Sequence, residues 1–474
     1  MGGTLTGLKL AIVIGIIVVI AGSVTGAVIL LSPSGTSATT TTTTPLTTTT
    51  TTTLPTTPRE NFILGADISW VQQQEDGGAV FSDNGVQKDI FEILKDHGFN
   101  YIRLRIFHSP GEENGYANEP WLPEPMAENY CDLEHTMEMA ERIKAAGMGF
   151  LLDFHYSDTW ADPGKQYKPL AWENLSFDEL TLAVHDYTRD VIEALENQGT
   201  PPDMVQIGNE IDGGFIWPDG STSDFDKFTT LLKAGIAAVK EVDPSIKIML
   251  HIAKGGDASG AESWVNNVLQ RDVEFDIIGL SCYPQWHGPP SGWRNTFNYL
   301  DDKFPDHSFI IAEYSSFKDK VNHIMYDLPD ERGLGTFIWE PTGWGVESLF
   351  YANGETKDLI DLYPQLAAQY GVTTWSDIGI ELSDLVIDPP AVGPSENVTI
   401  SVNVKNVADN THSYNVFLSI DGPGQADSLS DLVWETVTLE PDESTTIEFT
   451  VARETEGTCN IRIGELTGSF DVGS

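Results

Sequence analysis

Cysteine and basic residues are scarce in this 474-residue chain. Its three cysteines, Cys131, Cys282 and Cys459, are too few and too widely spaced for a disulfide framework or a structural metal motif. A Cys131–Cys282 pair is compatible with the sequence, but free buried thiols are the expectation. Lysine and arginine total 26 against 71 acidic residues, a net charge of −45. That balance argues against nucleic acid as a partner. It also disfavours polyanionic substrates such as polygalacturonate, so a neutral polymer fits better. The acidic residues are spread along the chain and do not form one tail. Such a surface suits high external salt, where screening tames self-repulsion. An acidic exported protein from an ordinary habitat is the alternative. No His/Asp ligand cluster has suitable spacing, so no metal and no cofactor is expected.

Long hydrophobic runs are also few. Leu10–Leu31 is uncharged, mostly apolar and long enough to span a bilayer as a helix, with Lys9 before it. It reads either as an uncleaved anchor or as a signal peptide cut after Thr25-Gly26-Ala27. Its length favours the anchor, and both readings place the protein outside the cell, secreted or held at the surface. Residues 1–31 are therefore a signal or anchor segment, and 32–60 a Thr-rich disordered stalk, plausible for O-glycosylation. Sequons at Asn174 and Asn397 fit export.

Strand and helix patterns alternate from 61 to 375. Eight apolar runs read as strands: Ile63–Trp70, Tyr101–His108, Gly149–Tyr156, Met204–Ile211, Ile246–Ala253, Phe275–Pro284, Ser308–Ser316 and Leu334–Pro341. Helical patterns between them include Val86–His97, Leu133–Ala146, Phe177–Gln198 and Phe225–Val242. This predicts the α/β class and a (β/α)8 TIM barrel. From 378 to 474 the pattern turns β-rich, with Asn397–Asn406, Tyr414–Ile420, Leu432–Leu439 and Thr445–Val451 as strands. That predicts a small all-β, Ig-like sandwich. It resembles the CARDB-like modules appended to exported proteins, either as an adhesive spacer or as a carbohydrate-binding unit.

Two glutamates stand where barrel strands emerge at the C-terminal rim, the face that carries chemistry. Glu210 closes Met-Val-Gln-Ile-Gly-Asn-Glu on the fourth run, and Glu313 closes Phe-Ile-Ile-Ala-Glu-Tyr on the seventh. Two carboxyl groups converging at one rim are the equipment for glycosidic bond hydrolysis. Asn209 and Glu210 are adjacent, so both can face one ligand only at a frayed or bulged strand end. Arg103 with Arg105, and Asp153 with His155, sit at i and i+2 and share a face. Buried charges of this kind pair or line a polar site. An Arg105–Asp153 pair that stiffens the barrel is one expectation, and His155, nearer the rim, reads as a site residue. Trp70, Trp160, Tyr283, Trp286, Trp339 and Trp344 cluster at strand ends, and aromatic faces stack on sugar rings.

Several segments resemble the endo-β-1,4-galactanases of glycoside hydrolase family 53 over roughly residues 62–370. They are Gly65-Ala66-Asp67-Ile68-Ser69-Trp70, Arg103-Leu104-Arg105, the long block from Asp153 to Gln166, Val205–Ile211, Tyr283–Gly288 and Trp339-Glu340-Pro341. The resemblance implies a retaining hydrolase of arabinogalactan or β-1,4-galactan, with Glu210 as acid/base and Glu313 as nucleophile. It implies that Asn209 holds the sugar 2-hydroxyl, Tyr283 hydrogen-bonds the nucleophile and Trp339 floors the site. Asp67, Arg103, His155, Trp160, His251 and Trp286 complete the substrate-binding set. Cys282 departs from the family's usual aromatic residue, and the calcium-binding loop that bacterial relatives often carry after the nucleophile is absent. No such calcium site is therefore expected, and product length stays open. Other readings are a related hydrolase of mannan or cellulose, and a non-catalytic surface adhesin that binds sugar.

Overall fold

The structure is a computed structural model that describes residues 52–53 and 58–473, apart from 121, 123–125, 344–346 and 424–431. The Leu10–Leu31 run, most of the Thr-rich stretch and Trp344 lie outside the described residues. Among the described residues no helix is long and apolar enough to cross a membrane.

Eight parallel strands close into a barrel: β1 Ile63–Asp67, β2 Tyr101–Ile106, β3 Gly149–Phe154, β4 Met204–Ile207, β5 Lys247–Ile252, β6 Ile277–Cys282, β7 Ser308–Tyr314 and β8 Gly333–Trp339. Their near-continuous apolar runs suit strands covered on both faces. The helices that follow them are α1 Ile90–Asp96, α2 Leu133–Ala146, α3 Phe177–Gln198, α4 Phe225–Val242, α5 Ala258–Leu269, α6 Pro290–Lys303, α7 Lys318–Tyr326 and α8 Leu362–Tyr370. Local sequence sets their ends. Ser176 and Glu179 form a reciprocal capping box at the start of α3, and Gly199, at φ 83°, ends it. The helix expected from Val86 starts at Ile90 instead, because the Asp89 carboxylate accepts from Phe91 N and fixes the first turn there.

Most predicted strands ran past their true ends. β1 stops at Asp67 and β4 at Ile207, after which Gly208 takes φ 87° and Glu210 φ 47°. The trailing residues belong to rim loops.

Inside the barrel, Ile63, Leu151, Met204, Met249, Ile277, Ile310 and Phe337 form one apolar cluster. Side chains alternate along a strand, so the residues two or four further on also point inward. They are Asp67, Asp153, Gln206, His251, Ser281 and Trp339. The barrel thus changes from an apolar plug to a polar layer along its own axis. β7 breaks the alternation. Its pairing register shifts between Ile311 and Glu313. Glu313 therefore joins the polar layer, while Tyr314 turns outward and shares a 2.8 Å hydrogen bond with Tyr363 of α8.

After the barrel come β9 Ile380–Asp388, β10 Asn397–Asn406, β11 His412–Asp421, β12 Leu432–Leu439, β13 Ser444–Ala452, β14 Gly457–Ile463 and β15 Leu466–Val472. One sheet runs β9–β10–β13, and the long strands of the other run β12–β11–β14–β15, all antiparallel. The two sheets enclose their own apolar core. Strand β11 docks on the barrel. Phe417 belongs to the barrel's core cluster, Gln365 Nε2 donates to Asn415 O at 2.5 Å, and Asn415 Nδ2 donates to Asp361 Oδ2 at 2.9 Å. Ser419 Oγ donates to the buried carboxylate of Asp319 on α7, and Lys320 lies 3.7 Å from Asp421. All three cysteines are buried and none is in a disulfide.

Candidate active site

Arg103 organises the polar layer. Its side chain is 1% exposed, and its fork meets five acceptors. Nη1 donates to Asp67 Oδ2 and to Glu313 Oε1, both at 2.9 Å. Nη2 donates to Asp153 Oδ2 at 2.8 Å, Asn209 Oδ1 at 2.9 Å and Gln206 Oε1 at 3.2 Å. Asp153 is the register neighbour of Arg105, not of Arg103. The Arg103 side chain reaches one layer up the barrel and takes that carboxylate, so the expected Arg105–Asp153 pair does not form. Arg105 turns to Glu340, at 2.6 Å, and lies over the rings of Trp160 and Trp70 at 4.2 and 5.1 Å.

Glu313 ends in two donors, Arg103 on Oε1 and the Tyr283 hydroxyl on Oε2 at 3.1 Å. Glu210 Oε1 accepts from Ser281 Oγ at 2.6 Å. Glu210 sits in the left-handed region, just past the end of β4, and that turn lets Asn209 and Glu210 serve one site. Gln166 Nε2 supports the turn by donating to Asn209 O at 2.7 Å. Asn209 Nδ2 donates to Ala161 O at 2.9 Å, which fixes its amide orientation.

The electrostatics separate the two carboxyl groups. Burial, and next the nearby Glu313 charge, push Glu210 well above the ordinary carboxylate range. Burial also raises Glu313, but the Arg103 guanidinium opposes the rise. Glu210 is the group that keeps its proton. Burial, and next Arg103, hold His251 well below the usual imidazole value, so it is neutral. Burial lifts Glu340 to about 8 against the pull of Arg105.

Each remaining predicted residue falls in or beside this layer. His155 Nδ1 accepts from Ala161 N at 2.9 Å, and its Nε2 lies 3.1 Å from Asp153 Oδ2. Asp67, His155 and His251 are buried, as are the two glutamates. Trp70, Trp160 and Trp339 pack edge to face with centroids 5.4–6.4 Å apart and form an aromatic wall. Trp286 is 72% exposed, with its ring 5.5 Å from that of Tyr283, and so stands at the rim. Sequence reasoning missed Gln206, Ser281 and Glu340 as members of the site. The first two were legible as polar residues at the inward positions of β4 and β6.

Residues 63–324 match the family model described as glycosyl hydrolase family 53. The chain belongs to that family. A family 53 catalytic domain from Ignisphaera aggregans superposes with a TM-score of 0.59 at 33% identity, covering 67% of this chain and 99% of that one. An uncharacterized protein of Niallia circulans is 37% identical over 323 residues, 60% of this chain and 84% of its own. Arabinogalactan endo-β-1,4-galactanase A of Aspergillus niger is 30% identical over 312 residues, 58% of this chain and 84% of its own. The family 53 model spans the strands that carry both glutamates. It ends within α7, before β8 and the sandwich. Among the described residues no group of three or more His, Cys, Asp or Glu is placed to hold a metal ion.

Proposed function

We propose that the protein hydrolyses internal β-1,4-galactosidic bonds of galactan or arabinogalactan with retention of anomeric configuration. One observation carries the reading: a carboxylate held by Arg103 and Tyr283 at the end of β7 lies within electrostatic reach of a proton-retaining carboxyl at the end of β4. Glu313, ionised, attacks the anomeric carbon. Glu210 gives its proton to the departing glycosidic oxygen. Water then enters, Glu210 takes a proton from it, and the galactosyl ester on Glu313 is cleaved. Asn209, next to Glu210 in sequence and sharing Arg103 with Glu313, is the group for the 2-hydroxyl, and Trp339 is the apolar face for the ring. Family membership and the name of the Aspergillus niger relative support galactan as the substrate.

The same proposal extends to place and habitat. The apolar Leu10–Leu31 run and the Thr-rich segment after it support export, with the run retained as an anchor. The charge of −45 supports work in high salt.

The test is release of reducing ends by the full chain from β-1,4-galactan, with mannan and cellulose alongside, at low and high salt. Galactan is expected to be cut and the others left. Glu210→Gln is expected to lower the rate by roughly 10²–10⁴, and Glu313→Gln to abolish it, with both variants folded. Wild-type turnover by either variant would end the assignment. Equal cleavage of mannan would overturn only the substrate.

A further inference from the structure

We propose that Ser281 is a positioning residue for Glu210: its single hydroxyl hydrogen turns from His251 Nε2 to Glu210 Oε1 when that carboxyl gives up its proton, and turns back when the proton is regained. The inference rests on the acid/base role proposed for Glu210.

The argument starts at Asn209. Its Nδ2 is committed to Ala161 O, and its Oδ1 accepts from Arg103. That same Oδ1 lies 2.9 Å from His251 Nδ1. Two acceptors do not face each other at that distance, so His251 Nδ1 carries the hydrogen. Gln206 Nε2, 3.3 Å from the same nitrogen, has better acceptors in Asp153 Oδ1 at 2.5 Å and Gly208 O at 3.1 Å. The imidazole is fully buried and faces Arg103, His155 and His287, and burial, with Arg103 next, keeps it neutral. His251 Nε2 is therefore a bare lone pair.

Ser281 Oγ lies 2.9 Å from that lone pair and 2.6 Å from Glu210 Oε1. It is fully buried and has one hydrogen for two acceptors. While Glu210 is protonated, the carboxyl donates to Ser281 Oγ, Ser281 donates to His251 Nε2, and His251 donates to Asn209. Every donor in that chain has an acceptor. With substrate bound the carboxyl hydrogen leaves Ser281 Oγ for the glycosidic oxygen, and as that proton is transferred the Ser281 hydrogen swings to the new carboxylate. Water returns a proton to Glu210 in the second half-reaction, and the hydroxyl swings back. Ser281 transfers no proton and only re-aims its own. Glu313, Tyr283, Asp162 and Asp212 also face Glu210, and none of them is both donor and acceptor to it.

Ser281→Ala in the full chain tests this, because it deletes one buried oxygen. Removing the donor makes Glu210 harder to ionise. The alkaline limb of kcat/KM on galactan is expected to move up by about one pH unit, the worth of a hydrogen bond to a charged group. The galactan rate near neutrality is expected to fall about tenfold. A nitrophenyl galactobioside, whose leaving group needs no acid, is expected to lose less. Ser281→Thr, which keeps the hydroxyl, is expected to restore the limb. An unmoved limb, or equal losses on both substrates, overturns the proposal. Glu210→Ala is measured beside it. If that variant is inactive on galactan while Ser281→Ala behaves as wild type, only the role of Ser281 fails. If Glu210→Ala is fully active, the acid/base reading fails first.

Discussion

Replacing Arg103 with methionine removes a buried charge and keeps most of the volume. In the native layer that charge faces Asp67, Asp153 and Glu313, each within 2.9 Å. Three orphaned carboxylates would be ruinous if none had another partner. All three do: Asp67 keeps the Ser69 hydroxyl at 2.7 Å, Asp153 keeps Gln206 and His155, and Glu313 keeps the Tyr283 hydroxyl at 3.1 Å. The cost is therefore closer to one broken buried pair, about 3–5 kcal/mol, than to three. At about 2 °C per kcal/mol for a domain of this size, the melting midpoint is expected to fall by about 6–10 °C. Catalysis is expected to suffer in a way that stability alone does not explain. In the proposed mechanism Glu313 must be ionised to attack, and Arg103 is the main group opposing its raised pKa. At about 4 Å between charge centres and an effective dielectric near 20, the pair is worth about 4 kcal/mol, or at most about three pH units. The acid limb of kcat/KM is thus expected to move upward by one to three units (about the range that this bound allows). The sign for stability follows from the same shift. A carboxyl raised in the fold costs stability once pH passes its unfolded pKa, so the deficit in the variant shrinks as pH falls. Scanning calorimetry and a pH–rate profile on galactan measure both effects. A midpoint within about 2 °C of wild type (less than 1 kcal/mol by the same conversion), with an unmoved acid limb, would refute the reasoning.

Two further variants probe the rim and the docked module. Trp286→Ala removes a mostly exposed ring, so stability is expected to change by less than about 0.5 kcal/mol. KM for galactan is expected to rise several-fold with kcat nearly unchanged, and steady-state kinetics on polymer and short oligomers read the split. Ser419→Ala leaves the buried Asp319 carboxylate without that donor, at a cost of about 1–3 kcal/mol. The melting midpoint is expected to drop by several degrees with turnover at 25 °C intact, measured by thermal unfolding and galactan hydrolysis.

The architecture was legible because the strands are short apolar runs and the helices amphipathic runs with good caps. Leu133–Ala146, Phe177–Gln198 and Phe225–Val242 occur as predicted, each with a side-chain cap at its start. Strand ends were harder. Ile211 follows Ile207 after only Gly-Asn-Glu, and the backbone angles at Gly208 and Glu210 place the end of the strand before that tripeptide. The two glutamates were found from their place after apolar runs. Their supports were only half visible. Arg103 and Asp153 stood out as charges inside strands, but which arginine takes which carboxylate depends on side-chain reach across barrel layers. Ser281 lay inside the predicted strand Phe275–Pro284 and Glu340 inside Leu334–Pro341, and neither was given a role. Both matter through partners far away in sequence, which periodicity does not report.

The grip of β11 on α7 has a consequence for how the molecule is made. Only three residues, Ser315–Phe317, separate the strand bearing Glu313 from the helix that carries Asp319 and Lys320. Their partners, Ser419 and Asp421, leave the ribosome about a hundred residues later. Until then a carboxylate and an ammonium destined for burial stand in water beside a barrel that already has all eight strands. A chain released before Ser419 would carry both rim glutamates on an unfinished flank, so a later stretch of the chain seals an earlier one.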